Sequence, residues 1–159
     1  MLIKQFLNDK EINYILNFIE TIQEKDYIEI PGRDAYQFFM LDHIKIFNFI
    51  DDKIIKYNTK CQTKWEACFI VKIKPNGFIA THSDDLPASC NILIQKPENG
   101  GDLLIENIKI IQDEKDVYFL NPNRKHGITT VIGNKCYYSV VMCNKTSEKT
   151  IYDTDFNNR

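Results

Sequence analysis

The apolar residues of this chain change their spacing near residue 63, and that change restricts the folds available to it. Before this point, apolar residues recur every three or four positions, which is the spacing of an amphipathic helix. After it, short apolar or alternating runs are separated by turn residues such as Pro97 and the pair Gly100-Gly101, a pattern typical of β-strands. We therefore expect a helical first part followed by a β-rich core.

The first part predicts two helices. The sequence Asn8-Asp9-Lys10-Glu11 has the form of a capping box, in which Asn8 is the N-cap and Glu11 reaches back to its backbone. The apolar residues that follow share one helical face: Ile12, Ile15, Leu16, Ile19 and Ile22. A second apolar stripe, with the same meaning, consists of Leu41, Ile44, Phe47, Ile50, Ile54 and Ile55. Between the helices, residues 27–30 alternate like a short strand and residues 32–37 are expected to form a loop.

The second part predicts many short strands joined by turns. Those strands are residues 66–74, 78–82, 89–95, 102–106, 109–111, 117–120, 127–131 and 136–143. Short strands with close turn signals favour a double-sheet sandwich or jelly roll. The expected fold class is therefore mainly β with N-terminal helices (α+β), a jelly roll flanked by two helices. One domain is expected over residues 1–159, with a helical part at about 1–60, a jelly-roll core at about 63–143 and a polar tail at 144–159.

Composition argues against several classes of protein. The chain is 43% hydrophobic and 26% charged, and its net charge of −2 gives no general attraction to nucleic acid or anionic membranes. Its five cysteines include no Cys-x-x-Cys pair, which argues against a thiolate zinc site or a disulfide framework and favours a reducing, cytoplasmic setting. The sequence predicts neither a signal peptide nor a membrane span.

Three side chains have the types and spacing of a metal site. His82 and Asp84 are two residues apart, so in an extended strand both point to the same face. His126 follows more than forty residues later, which is enough chain for a few strands to fold back. Two imidazoles and one carboxylate on one face form the facial triad of non-haem Fe(II) oxygenases, and structural zinc usually fills four positions instead. Parity favours Asp84 over its neighbour Asp85 as the carboxylate.

Lys135 lies nine positions after His126, where the last predicted strand begins. A cation inside a jelly roll needs an anion beside it, and a dicarboxylate with its other end on the metal would provide one. On spacing alone, a solvated turn lysine is an equal alternative. Tyr137 and Ser139 alternate with Lys135, so on the same face their hydroxyls would donate hydrogen bonds to that carboxylate.

These features occur together in a recognisable order. Over residues 67–142 the chain contains His82-x-Asp84, then Gly100-Gly101-Asp102-Leu103, Tyr118-Phe119, Lys125-His126-Gly127 and Val131-x-Gly133-x-Lys135. This order resembles the Fe(II)/2-oxoglutarate-dependent oxygenase superfamily, and in particular its prolyl 4-hydroxylase-like branch.

The resemblance implies a double-stranded β-helix that binds Fe(II) through His82, Asp84 and His126. It also implies that Lys135 binds the distal carboxylate of the co-substrate 2-oxoglutarate. The implied reaction uses O₂, converts 2-oxoglutarate to succinate and CO₂, and hydroxylates an unactivated C–H bond.

The chain departs from this branch at two places. The tyrosine often found before the turn that precedes the first ligand is replaced within Lys72-Ile73-Lys74. The strand that often ends Tyr-Leu-Asn ends here as Leu93-Ile94-Gln95. The accessory tyrosine contacts of the branch therefore do not transfer, and Asn91, if it faces inward, is expected to compensate.

The substrate is less constrained by the sequence. Residues 32–37 and 85–88 are expected to border the site, with Arg33 and Tyr36 as candidate substrate contacts. A peptide side chain such as proline is the first expectation, a free amino acid or other small metabolite the second, and a nucleobase the third, since no basic patch with interleaved aromatics occurs. A non-catalytic jelly roll, in which a metal is a structural plug or part of a ligand sensor, is the alternative from a different class.

Overall fold

The computed structural model describes residues 1–40, 44–57, 65–86 and 88–144. Leu41 of the second apolar stripe, His43, Cys61 and residues 145–159 of the expected tail lie outside the described residues. The helices are α1 (Asp9–Thr21) and α2 (Ile44–Tyr57). The strands, in chain order, are β1 (Leu2–Ile3), β2 (Ile28–Glu29), β3 (Tyr36–Phe39), β4 (Ala67–Ile73), β5 (Ile79–His82), β6 (Ala88–Gln95), β7 (Asn99–Gly100), β8 (Leu103–Ile105), β9 (Ile108–Ile110), β10 (Val117–Leu120), β11 (His126–Ile128), β12 (Val131–Ile132) and β13 (Tyr137–Asn144).

Helix α1 begins with the predicted capping box. The Asn8 side chain accepts a hydrogen bond from the backbone N–H of Glu11 at 3.0 Å, and the Glu11 carboxylate accepts one from the backbone N–H of Asn8 at 2.8 Å. Two otherwise unpaired donors at the helix start are thereby satisfied.

In the described part of the chain, neither α1 nor any other helix has the length and apolar character that a bilayer span requires.

Most strands belong to two antiparallel sheets. The larger has seven strands in the order β1-β10-β6-β13-β4-β3-β2, and the smaller has four in the order β5-β11-β8-β9. Strands β12 and β7 form a separate pair. The two main sheets pack face to face as a jelly roll, with the two helices against the outer face of the larger sheet, so the predicted fold class is confirmed.

The larger sheet has different chemistry on its two faces because successive side chains of a strand alternate in direction. On its central strand β13, Val140 and Met142 pack with the helices in one apolar core. Tyr137, Ser139 and Val141 of the same strand face the space between the sheets. One face of the sheet therefore packs in the hydrophobic core beneath the helices, and the other face lines a cavity.

Strand β3 differs from the expectation of a loop at residues 32–37. Its residues Tyr36 to Phe39 pair with Lys72 to Phe69 of β4 and extend the larger sheet. Phe38 packs on the helical side against Phe18, with ring centroids 6.0 Å apart, whereas Phe39 lies on the cavity side at 6.0 Å from Phe69. The polar residues at the start of this segment hide the alternation of a strand in the sequence. The strand forms because it pairs with β4.

Replacing Asn8 with Ala is expected to lower the free energy of unfolding by about 1 kcal/mol, because α1 loses its N-cap acceptor. Asn17→Ala is the matched control, since Asn17 is exposed within the same helix and Ala has the higher helix propensity. Urea denaturation followed by circular dichroism measures both, and equal stabilities for the two variants would contradict the role given to the cap.

Candidate metal centre

A cavity of about 470 Å³ lies between the two sheets. Most of its walls are apolar, including Phe69 and Val71 of β4, Leu103 of β8 and Val141 of β13. The polar side chains in the lining fall into separate groups, of which His82, Asp84 and His126 are one. The cavity therefore combines mostly apolar walls with a few convergent polar atoms, which is the usual form of a small-molecule site.

Strand pairing brings the two histidines together. His82 ends β5, His126 begins β11, and the two are Cα partners in the smaller sheet. Their ring centroids are 4.4 Å apart. Asp84 lies just beyond β5, and its backbone N–H donates to the Pro122 carbonyl at 2.8 Å, which fastens it to the loop before β11.

The three side chains converge on one point. Asp84 Oδ2 lies 3.6 Å from His82 Nε2 and 3.4 Å from His126 Nε2. Candidate ligand atoms of all three residues lie within 4.8 Å of one another. The separations from Oδ2 are too long for strong hydrogen bonds but are suited to a single ion in contact with all three groups.

Backbone carbonyls orient both imidazoles. His82 Nδ1 is 2.8 Å from the Ala80 carbonyl oxygen, and His126 Nδ1 is 2.9 Å from the Arg124 carbonyl oxygen. A carbonyl only accepts, so each Nδ1 carries its hydrogen and each neutral ring keeps the Nε2 lone pair for a metal. This outer hydrogen bonding is the arrangement found around metal-bound histidines, and the donor set fits a divalent transition metal.

Asp84 is an ionised carboxylate at neutral pH. Hydrogen bonding from His126 and His82, with the nearby Arg33 guanidinium, holds the pKa of Asp84 well below its ordinary range. Arg33 Nη2 donates to Asp84 Oδ1 at 2.7 Å, while Oδ2 faces the histidines. The carboxylate is thus already an anion that a divalent metal could bind without displacing a proton from it.

A second polar group lies in the cavity wall formed by β6 and β13. Asn91 Nδ2 donates to the Tyr137 hydroxyl at 2.9 Å, and Ser139 also hydrogen-bonds to Tyr137. Complete burial raises the pKa of Tyr137, so its hydroxyl remains protonated and able to donate. Gln112 supports the group, because its Nε2 donates to the Asn91 carbonyl at 2.9 Å. The structure thus places Tyr137, Ser139 and Asn91 on the inward face.

Lys135 is not brought to this group. It is exposed in the turn between β12 and β13 and does not line the cavity. The backbone N–H of Asn134 donates to Glu98 at 2.8 Å, and Gly133 adopts a φ of +109°, so the turn is held before the strand begins at Tyr137. Strand alternation starts only inside β13, and Lys135 therefore does not share the face of Tyr137. The resemblance implied that Lys135 binds the distal carboxylate, while spacing alone left a solvated turn lysine as an equal alternative; the exposed position agrees with that alternative.

The two candidate substrate contacts have different positions. Arg33 lines the cavity beside Asp84. Tyr36 does not, because on β3 it is Gln37 and Phe39 that face the cavity. Tyr36 lies instead beneath Lys74, whose Nζ is 4.7 Å from its ring centroid. The expectation for Tyr36 is corrected by the parity of a strand that was expected to be a loop.

Several cavity residues were missed by the sequence reasoning. Phe69 and Ser89 lie on strands that were predicted, and strand parity relative to Asn91 and Val71 would have placed both inward. Gln112, which supports Asn91 but does not line the cavity, had no such signal, because it lies in a polar connection between β9 and β10 and its partner Asn91 is 21 residues away.

Asp84→Ala should weaken Mn(II) or Co(II) binding by more than the roughly 10–100-fold typical of outer-shell substitutions, because a ligand is lost. Asp85→Ala is the matched control, since Asp85 also lines the cavity but is exposed and lies outside the cluster. Isothermal titration of the metal-free proteins measures both affinities. Equal losses in the two variants would contradict the geometry of the centre.

Comparison with known proteins gives matches among solved structures alone. No family model and no curated protein matches the chain. A viral collagen prolyl hydroxylase from Paramecium Bursaria Chlorella virus-1, in complex with 2-oxoglutarate, matches with a TM-score of 0.67 and 15% identity over 90% of this chain and 93% of that one. A Pseudomonas putida prolyl-4-hydroxylase matches with a TM-score of 0.73 and 10% identity over 92% of each chain.

A third similar structure is HygX from Streptomyces hygroscopicus with nickel and 2-oxoglutarate bound, which has a TM-score of 0.72 and 10% identity over 94% of this chain and 84% of that one. At such identities the likeness concerns the fold. The chain has the double-stranded β-helix fold seen in 2-oxoglutarate- and Fe(II)-dependent oxygenases.

Proposed function

We propose that this protein is an Fe(II)- and 2-oxoglutarate-dependent oxygenase that hydroxylates a C–H bond. The observation that carries the proposal is the convergence of two Nε2 atoms and one carboxylate oxygen, with each Nδ1 bonded to a backbone carbonyl. The same donor set occurs in catalytic zinc sites, but the similar folds include structures with 2-oxoglutarate bound. The fold and the donor set together favour the oxygenase.

His82, Asp84 and His126 would hold the iron, which supplies O₂ activation and the redox chemistry when bound. In the overall reaction, 2-oxoglutarate gives up two electrons and is cleaved to succinate and CO₂. One oxygen atom of O₂ enters succinate and the other is inserted into the C–H bond of the substrate. Three protein ligands on one side of the metal would leave coordination positions for a co-substrate that binds through two atoms and for O₂.

The chain itself provides orientation and the exclusion of water. Carbonyls of Ala80 and Arg124 fix the two imidazole rings before any ligand arrives. Apolar side chains from both sheets, among them Val71, Leu103 and Val141, surround the space beside the centre. A pocket that excludes water and is already ordered prevents side reactions with water or with the protein itself.

For the co-substrate, we infer that the Tyr137 and Ser139 hydroxyls receive the distal carboxylate of 2-oxoglutarate. Both lie on the inward face of β13, and the Tyr137 hydroxyl already accepts from Asn91, which directs its own hydrogen elsewhere. The family role expected for Lys135 would pass to these neutral donors, because Lys135 is exposed outside the cavity.

For the substrate, a protein or peptide side chain such as proline is the first candidate. Two proteins with similar folds are prolyl hydroxylases, and the mostly apolar lining suits an aliphatic ring. The partly exposed Phe39 with Phe69 beside it would give an apolar surface where such a ring enters. A small metabolite is the second candidate, because a HygX structure contains hygromycin B. We also propose a reducing, cytoplasmic setting for the protein, as the scattered cysteines of the sequence indicate.

The purified protein with Fe(II) is expected to release succinate from 2-oxoglutarate when air is admitted, with faster release when a substrate is present. Succinate is measured by chromatography, and the product by the gain of one oxygen atom in mass spectra of prolyl peptides or small molecules. His126→Ala should abolish both signals because the centre loses a ligand. Metal binding by the native protein with no succinate under any condition would instead support the non-catalytic module.

Tyr137→Phe should raise the apparent KM for 2-oxoglutarate roughly 10–100-fold, since a hydrogen bond to a charged group contributes about 1.5–3 kcal/mol. Ser139→Ala should act in the same direction. Lys135→Ala is the control and is expected to leave KM within about twofold, as is usual for a surface change. A large effect of Lys135→Ala, with none for Tyr137→Phe, would instead indicate that Lys135 binds the distal carboxylate of 2-oxoglutarate.

A further inference from the structure

A tight turn fixes Arg33 beside the metal centre. The backbone N–H of Arg33 donates to the Ile30 carbonyl at 3.0 Å across Pro31-Gly32, and Gly32 adopts a φ of +71°. Proline followed by a glycine with positive φ is the pattern of a type II turn, in which Arg33 is the last residue. The turn connects β2 to β3, so the position of Arg33 is set by backbone structure before its side chain makes any contact.

The two carboxylate oxygens of Asp84 face different partners, because Arg33 bonds to one of them. Its Nη2 lies 2.7 Å from Oδ1, whereas Oδ2 faces both imidazoles. A carboxylate with both oxygens free can bind an ion through either one or both of them. With Oδ1 bonded to a guanidinium, Asp84 presents Oδ2 alone, and one more coordination position remains for other ligands.

Arg33 is also the one lysine or arginine among the described residues that line the cavity. Its side chain keeps 29% of its surface exposed, and the guanidinium has further N–H donors beyond the one that contacts Asp84. A 2-oxo acid that bound at the centre would bring a carboxylate close to that of Asp84. A bound metal would offset part of the repulsion between these two carboxylates, and the Arg33 guanidinium beside Asp84 would offset more of it.

We propose that Arg33 is a positioning residue that limits Asp84 to one-oxygen ligation and offsets the charge of the anion that binds next to it. The inference deepens the proposed function and rests on it, because it requires a metal at the centre. Arg33, which the sequence predicts as a substrate contact, would thus act on the metal centre itself and on the co-substrate, and not on the substrate.

The test compares Co(II) complexes of the native protein and its variants under anaerobic conditions, by visible absorption. Arg33→Met should still bind Co(II), with affinity within about tenfold of native, because removing a cation offsets the loss of orientation. Its spectrum should change, since a freed Asp84 adds a second oxygen to the metal. The dissociation constant of 2-oxoglutarate, read from the same spectra, should rise roughly 10–100-fold.

Two further variants separate positioning from a general loss of structure. Arg33→Lys keeps the charge and should restore part of the 2-oxoglutarate affinity. Lys109→Met removes a cation of the surface pair with Asp102, away from the cavity, and should match the native protein in every reading. If Arg33→Met misfolds in thermal melts, Arg33→Lys alone must still show an altered Co(II) spectrum, because one ammonium group does not reproduce the geometry of a guanidinium.

Native-like spectra and 2-oxoglutarate affinity in Arg33→Met, equal to those of Lys109→Met, would overturn the inference and leave the oxygenase proposal standing. Failure of the native protein to bind Co(II), or to respond to 2-oxoglutarate, would overturn the proposed function and this inference together.

Discussion

The pairing of His82 with His126 across β5 and β11 is the interaction on which the site depends. Their Cα atoms are register partners, so both side chains leave the smaller sheet at one position. A slip of one residue would turn one imidazole to the opposite face, because side chains alternate along a strand. Gly127 keeps the strands close, since a Cβ there would lie 2.7 Å from the Ile79 carbonyl oxygen. The convergence of the candidate metal ligands is thus a consequence of sheet register.

The larger sheet supplies the other half of the site through the same alternation. Each inward residue of β13 has an outward neighbour in the core beneath the helices, as Ser139 has Val140. The outward residues stabilise the sheet by burying apolar surface, and they hold the inward residues in place without restricting their identity. Polar groups such as Ser139 and Asn91 are therefore tolerated in a buried wall, where each has a hydrogen-bond partner.

Much of this arrangement could be predicted from the sequence because it depends on local patterns. The cap of α1 and most strand positions follow from short-range chemistry, and the three side chains of the centre were identified by type and spacing. Lys135 and Tyr36 were not placed, because each position depends on where a strand begins. Strand β13 starts two residues after Lys135, and β3 includes Tyr36, and both limits are set by pairing with distant segments. The contact of Arg33 with Asp84 joins residues 51 apart and had no local signal.

The distribution of charge along the cavity has a chemical consequence for ligand order. Charged groups gather at one place, where Arg33, Asp84 and the two histidines meet, while the Tyr137 group is neutral and the remaining walls are mostly apolar. A dianionic co-substrate would find strong attraction only at the metal end, and its far end would gain hydrogen bonds without a counter-charge. Such a ligand should therefore bind well only after the metal. An apolar substrate group, which gains mainly from burial, would then occupy the space that the co-substrate leaves beside Phe39 and Phe69.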